Sequence, residues 1–122
     1  MTIRCILKLM AKLNPLFSNP PFEVEKALQE LGANLRTARL RRRLTIADVA
    51  SKIGTGRRAV ADAEKGKPST GAVVYVALLW TYGLLEDFRL LADPGRDQEG
   101  LTLARLQERR RVRYEQGPDN DF

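Results

Sequence analysis

The stretch from Leu44 to Gly66, LTIADVASKIGTGRRAVADAEKG, constrains the fold of this chain more than any other. Thr45 stands just before an apolar run with Asp48 three residues on, a capping-box pattern in its Asp variant that opens a short helix. Val49, Ala50 and Ile53 give that helix its inward side, and Gly54 stops it. Residues 56–65 predict a second short helix with Val60 and Ala63 inward, closed by Gly66 where a left-handed residue is needed. Lys67-Pro68 makes the turn that follows. Two short helices are therefore joined by a tight glycine turn.

Both flanks are helical in pattern. From Glu23, an apolar stripe runs through Val24, Ala27, Leu28, Leu31, Leu35, Ala38 and Leu40, with Glu23 and Glu25 early and Arg41, Arg42 and Arg43 late, as the helix dipole favours. Gly32 falls inside this stripe as a point where the helix softens. Beyond the central pair, Ser69 or Thr70 caps a fourth helix carrying Val73, Val74, Ala77, Leu78, Trp80 and Thr81, ended by Gly83. A fifth runs from Leu84 to about Ala92 and presents Leu84, Leu85, Phe88 and Leu91 before Asp93-Pro94-Gly95 ends it.

The pattern thus predicts an all-α, five-helix domain over residues 23–94, with no confident strand. Residues 1–22 are an N-terminal extension and linker, irregular from Asn14-Pro15 through Asn19-Pro20-Pro21 because proline lacks the amide hydrogen of a helix interior. Residues 95–122 are a basic tail, disordered from Gly117 to Phe122. Within it Leu101 and Leu103 alternate like a strand while Leu103 and Leu106 are spaced like a helix, so its secondary structure stays open.

Composition narrows the chemistry. With 122 residues there is room for one ordinary domain plus tails. No histidine and a single cysteine, Cys5, exclude a histidine-based triad, a Cys/His zinc site and an intrachain disulfide. A reducing, cytoplasmic setting follows, and no metal or cofactor is called for. Near the N-terminus, Ile3, Ile6, Leu7, Met10 and Leu13 are close to helical spacing, but Lys8 and Lys12 interrupt what would be a signal-peptide core. No apolar run reaches the roughly 18 residues that span a bilayer. A membrane-surface helix and a translation start at Met10, which would leave out the first nine residues, are alternatives for this segment, and no membrane partner is expected.

The net charge of +6 is concentrated. Residues 34–67 hold ten basic against three acidic side chains, and residues 105–113 hold five against one. Every other stretch is near neutral or acidic. So local an excess is more often a nucleic-acid footprint than a solvated face.

The two short helices in an all-helical setting follow the helix-turn-helix plan, whose second helix enters the DNA major groove while the first lies across the backbone. With the preceding LRTARLRRR, the run resembles the phage-repressor-like (XRE) helix-turn-helix family over about Leu31 to Ala92. The segment LLEDFRLLADP, Leu84–Pro94, looks like the HipB-type antitoxins that accompany HipA-type protein kinases.

That resemblance implies roles for particular residues. Arg39 matches an arginine paired with an acid at the end of the recognition helix, here Glu64, as scaffold. Arg57, Arg58 and Ala61 match exposed recognition-helix positions that contact bases. Arginine suits this chemically, since it bridges both acceptors of a guanine edge, though contact with phosphate alone is the alternative. Thr45, Thr55, Lys65, Lys67 and Arg43 are the backbone-contact candidates. Three positions depart from the family pattern: Asp62 where Gln, Arg or Lys is common, Ile46 where a glutamine anchors the backbone, and Gly56 in place of a Ser or Thr cap, for which Thr55 is the substitute.

Several readings stay double. Arg41, Arg42 and Arg43 either reach flanking phosphates or satisfy the carbonyls ending their own helix. The Arg109-Arg110-Arg111 cluster with Arg113 and Tyr114 either touches DNA or orders on a partner. Trp80 and Tyr82 are core and interface packing. Leu84, Leu85, Phe88 and Leu91 form a homodimer surface or complete the monomer's core. Nothing in the chain pairs a nucleophile with a base or builds a phosphate loop, so the expectation is no enzyme. It is instead a repressor on a palindromic operator of double-stranded DNA, acting either as the antitoxin of a HipA-type serine/threonine kinase toxin or as a stand-alone regulator.

Overall fold

All regular structure in the described residues, 14–115 of a computed structural model, is helical. The elements are α1 (Pro15–Ser18), α2 (Phe22–Arg41), α3 (Ile46–Ile53), α4 (Arg57–Glu64), α5 (Ala72–Thr81), α6 (Leu85–Arg89) and α7 (Gln98–Glu115). They divide into two compact units between Phe88 and Arg89. Cys5, the apolar positions from Ile3 to Leu13, the Met10 start and the tail Gly117–Phe122 lie outside the described residues.

Two elements differ from the sequence expectation in kind. The Asn14–Asn19 stretch, expected to be irregular, closes one helical turn, because Pro15 sits at the first helical position, where the missing amide would have had no partner. Asn14 Oδ1 caps that turn by accepting from Leu16 N at 3.1 Å. The tail left open between strand and helix is the helix α7, with Asp97 Oδ1 accepting from Gly100 N (2.9 Å) at its start.

The long helix α2 supplies one wall of the core. Leu35 and Ala38 are buried and Leu28 and Leu31 pack partly against the core, while Val24, Ala27 and Leu40 remain exposed, so the apolar stripe is longer than the surface it covers. At α3 the capping box closes as expected: Thr45 Oγ1 accepts from Asp48 N and Asp48 Oδ2 accepts from Thr45 N, both at 3.0 Å. The backbone hydrogen bond from Thr45, with its hydroxyl second, holds the Asp48 carboxyl below its usual value. Gly54 then ends α3 at φ +78°, in the left-handed region where a side chain is strained.

Leu35, Val49, Val60 and Leu78, one each from α2, α3, α4 and α5, are fully buried together. Each such side chain stabilises by about 1.5–3 kcal/mol. Tyr75 and Tyr82 complete the core, and Tyr75 Oη donates to the Lys67 carbonyl (3.1 Å), tying the segment after α4 to α5. The start of α5 differs from expectation: Gly71 is its cap, without a side-chain bond, in place of Ser69 or Thr70. The fifth helix is also shorter than expected, ending at Arg89.

Helix α4 packs against α2, α3 and α5. Part of its contact with α2 brings main chain against main chain. A Cβ at Gly32 would lie 2.5 Å from the Ala63 carbonyl oxygen, and one at Gly66 2.5 Å from that of Leu28. Gly32 therefore does not soften α2, which runs through it unbroken; it lets the end of α4 approach. Gly32→Ala should therefore destabilise, by about 1–3 kcal/mol for an overpacked site. In an open helix the same change would stabilise by roughly 1 kcal/mol. Urea unfolding midpoints give the sign, and a stabilised variant would show that the two backbones are not in contact.

Candidate nucleic-acid interface

Helical spacing splits α4 into two sides. Val60 and Ala63 are buried, whereas Arg57 and Arg58 are exposed and Ala61 and Asp62 half-exposed on the opposite arc. Neither Arg57 nor Arg58 has an ion pair among the described residues. Two arginines thus stand on the outer face of a helix whose inner face is locked.

The lock is Arg39. Its Nε donates to Glu64 Oε1 at 2.5 Å and its Nη2 to Glu64 Oε2 at 3.4 Å, while Nη1 donates to the Leu44 carbonyl at 2.8 Å. Both side chains are buried, at 9% and 6% exposure. The hydrogen bond to Glu64 raises the Arg39 pKa further, with burial opposing it, so the guanidinium stays charged. One side chain joins α2, the loop into α3 and the last residue of α4.

The remaining candidates are distributed as follows. Thr45 is exposed, with its hydroxyl oxygen engaged at Asp48 N. Thr55 is half-buried and caps nothing: Gly56 is the N-cap of α4, with no side-chain bond, so the expected substitution by Thr55 does not occur. Arg43 is exposed at φ +54°, and Lys65 is the exposed C-cap of α4. Ile46 packs against the core, which accounts for an apolar residue at that position.

Lys67 and Asp62 carry an interaction that sequence spacing concealed. Lys67 Nζ lies 3.2 Å from Asp62 Oδ1. The carboxylate on the outward arc is thereby partly neutralised by a candidate backbone contact. The arginine run at the end of α2 also resolves in part, because Arg42 donates to the carbonyls of Ala38 and Tyr82, both at 2.9 Å, and stands 5.5 Å from the centre of the Tyr82 ring. Its role is structural, and the tyrosine forty residues away is the signal that was missing.

Tyr82 is core, as expected, and burial pushes its hydroxyl pKa up. Trp80 is not: it is 58% exposed, and Val73 on the same helix 76%. Of the apolar set, Leu84, Leu85 and Phe88 close the first unit and Leu91 falls in the second.

Two short helices across a left-handed glycine, the second pinned inside and cationic outside, define a helix-turn-helix unit of the kind that lays its second helix against DNA. The family model of the helix-turn-helix domain matches residues 30–91, just over half the chain, and the protein belongs to that family. No curated protein and no solved structure matches the chain. No helix among the described residues is long and apolar enough to cross a membrane.

Removing Glu64 would strand the Arg39 charge. Glu64→Ala should lower stability by about 3 kcal/mol, the lower end of the range for breaking a buried pair. Thermal melts followed by circular dichroism measure this. A variant melting with the parent would reduce the pair to a solvated contact.

Proposed function

We propose that this protein is a sequence-specific transcriptional repressor that binds a palindromic operator as a homodimer. The outer arc of α4 carries the reading: Arg57 and Arg58 are exposed and unpaired among the described residues, on a helix held by three others. Each guanidinium can reach a guanine edge in the major groove, and Ala61 leaves room beside them for a thymine methyl. Thr45, Thr55, Lys65, Lys67 and Arg43 are the backbone contacts in this reading. Replacing Arg57 or Arg58 with Ala should weaken binding to a selected operator by about 1–3 kcal/mol and relax preference at one base pair. Lys67→Ala, which also uncovers Asp62, should weaken all duplexes alike. Equal losses on operator and random DNA for the arginine variants would make them anchors and not readers.

A single short recognition helix reads too few bases to define a genomic site, so a second copy is required. Leu84 at 39% and Phe88 at 40% exposure, both in the first unit, support an apolar surface that a partner would cover. Phe88→Glu should leave a folded monomer, since this ring is far from fully buried, with operator affinity falling towards the non-specific level. Light scattering with a binding titration decides this. Unfolding would put Phe88 in the core, and a persistent dimer would move the interface elsewhere.

The same segment resembles HipB-type antitoxins, and we extend the proposal to a type II toxin-antitoxin operon that the protein represses while holding a HipA-type kinase. A kinase-like reading frame directly downstream would support this. Its absence would leave a stand-alone regulator.

A further inference from the structure

Helix α7 lies outside the helix-turn-helix match and has no buried residue. Its charges are ordered. Arg105, Arg109 and Arg113 recur every fourth residue, about 6 Å apart along the axis, and Arg110 flanks them on the same arc. All four are exposed, and none has an ion pair among the described residues. Arg111 lies off this arc and reaches Glu115 at 3.9 Å. From Thr102 to Arg113 the arc holds no acid; Glu108 borders it beside Arg105.

Like charges four residues apart disfavour a helix slightly, and a polyanion laid along this face would relieve that repulsion. The apolar residues point to which one. Leu103, Leu106 and Tyr114 fall on one side of α7, with Leu101 and Val112 nearly opposite, whereas a helix lying on a bilayer needs one continuous apolar face. Resting on the DNA-binding reading of α4, we propose that the Arg105, Arg109, Arg110 and Arg113 face of α7 is a second, sequence-independent contact with the phosphate backbone of duplex DNA. Being on the same chain as α4, it acts at high effective concentration once the operator is engaged. It adds affinity without adding specificity.

The test uses the full chain with Arg105, Arg109 and Arg113 all changed to Gln, titrated against a selected operator and a random-sequence duplex about three helical turns long. Each lost phosphate contact removes about 0.9 from the slope of log affinity against log salt, so the slope should become shallower by about 3. Affinity at low salt should fall on the order of tenfold to a hundredfold on both duplexes, with their ratio unchanged. The corresponding triple Lys variant should retain the parent slope. An unchanged slope in the Gln variant, or a Lys variant as weak as it, overturns the inference while the proposed function stands. So does a variant that keeps its duplex affinity but loses binding to phosphatidylserine vesicles, which would make lipid the partner. If the parent chain binds no duplex at all, the repressor reading falls first and this inference with it.

Discussion

The Arg39 guanidinium is where the geometry of this protein is decided. It meets the carboxylate ending α4 and the carbonyl of Leu44 at once, so α2, the entry to α3 and the end of α4 share one charged junction. Isolated helices of eight residues are marginal in water, and α3 and α4 are each that length. Their persistence depends on tertiary contacts. Val49 and Val60 supply the apolar part, and Arg39 supplies the directional part that sets where α4 points.

The division of labour among cations follows from this. Arg39 is used up internally, Arg42 is committed to two carbonyls and the Tyr82 ring, and Lys67 is shared with Asp62. Arg57 and Arg58 are what the domain leaves on the exposed arc of α4. A count of ten basic residues over 34–67 overstates the charge offered to a partner, because part of it holds the scaffold.

Features encoded by near neighbours were legible in the sequence. The Thr45 and Asp48 caps, the left-handed Gly54 and Gly66 and the inward Val60 and Ala63 each depend on residues within one turn, and they stand where the pattern put them. Features encoded across the fold were not. Gly32 reads as a weak point in a helix until the carbonyls of Ala63 and Glu64 are placed beside it. Helix α5, AVVYVALLWT, is apolar on nearly every side, so periodicity could not say that Tyr75 and Leu78 turn inward while Val73 and Trp80 face out. Helix α7 buries no face and has no single apolar stripe to announce it. At the site, the outward position of Arg57 and Arg58 follows from spacing, whereas the ties of Lys67 to Asp62 and of Arg42 to Tyr82 arise only when the chain has folded.

The glycine contact between α2 and α4 has an evolutionary consequence. Because Gly32 and Gly66 let main chain meet main chain, the seat of α4 involves none of the side chains on its outer arc. Positions 57, 58, 61 and 62 can therefore drift through new residues without moving the helix that carries them. Positions 32 and 66 cannot. If α4 reads DNA as proposed, a change of target needs substitutions only on this outer arc, at little cost in stability, while the Arg39–Glu64 junction and the two glycines beneath it stay as they are.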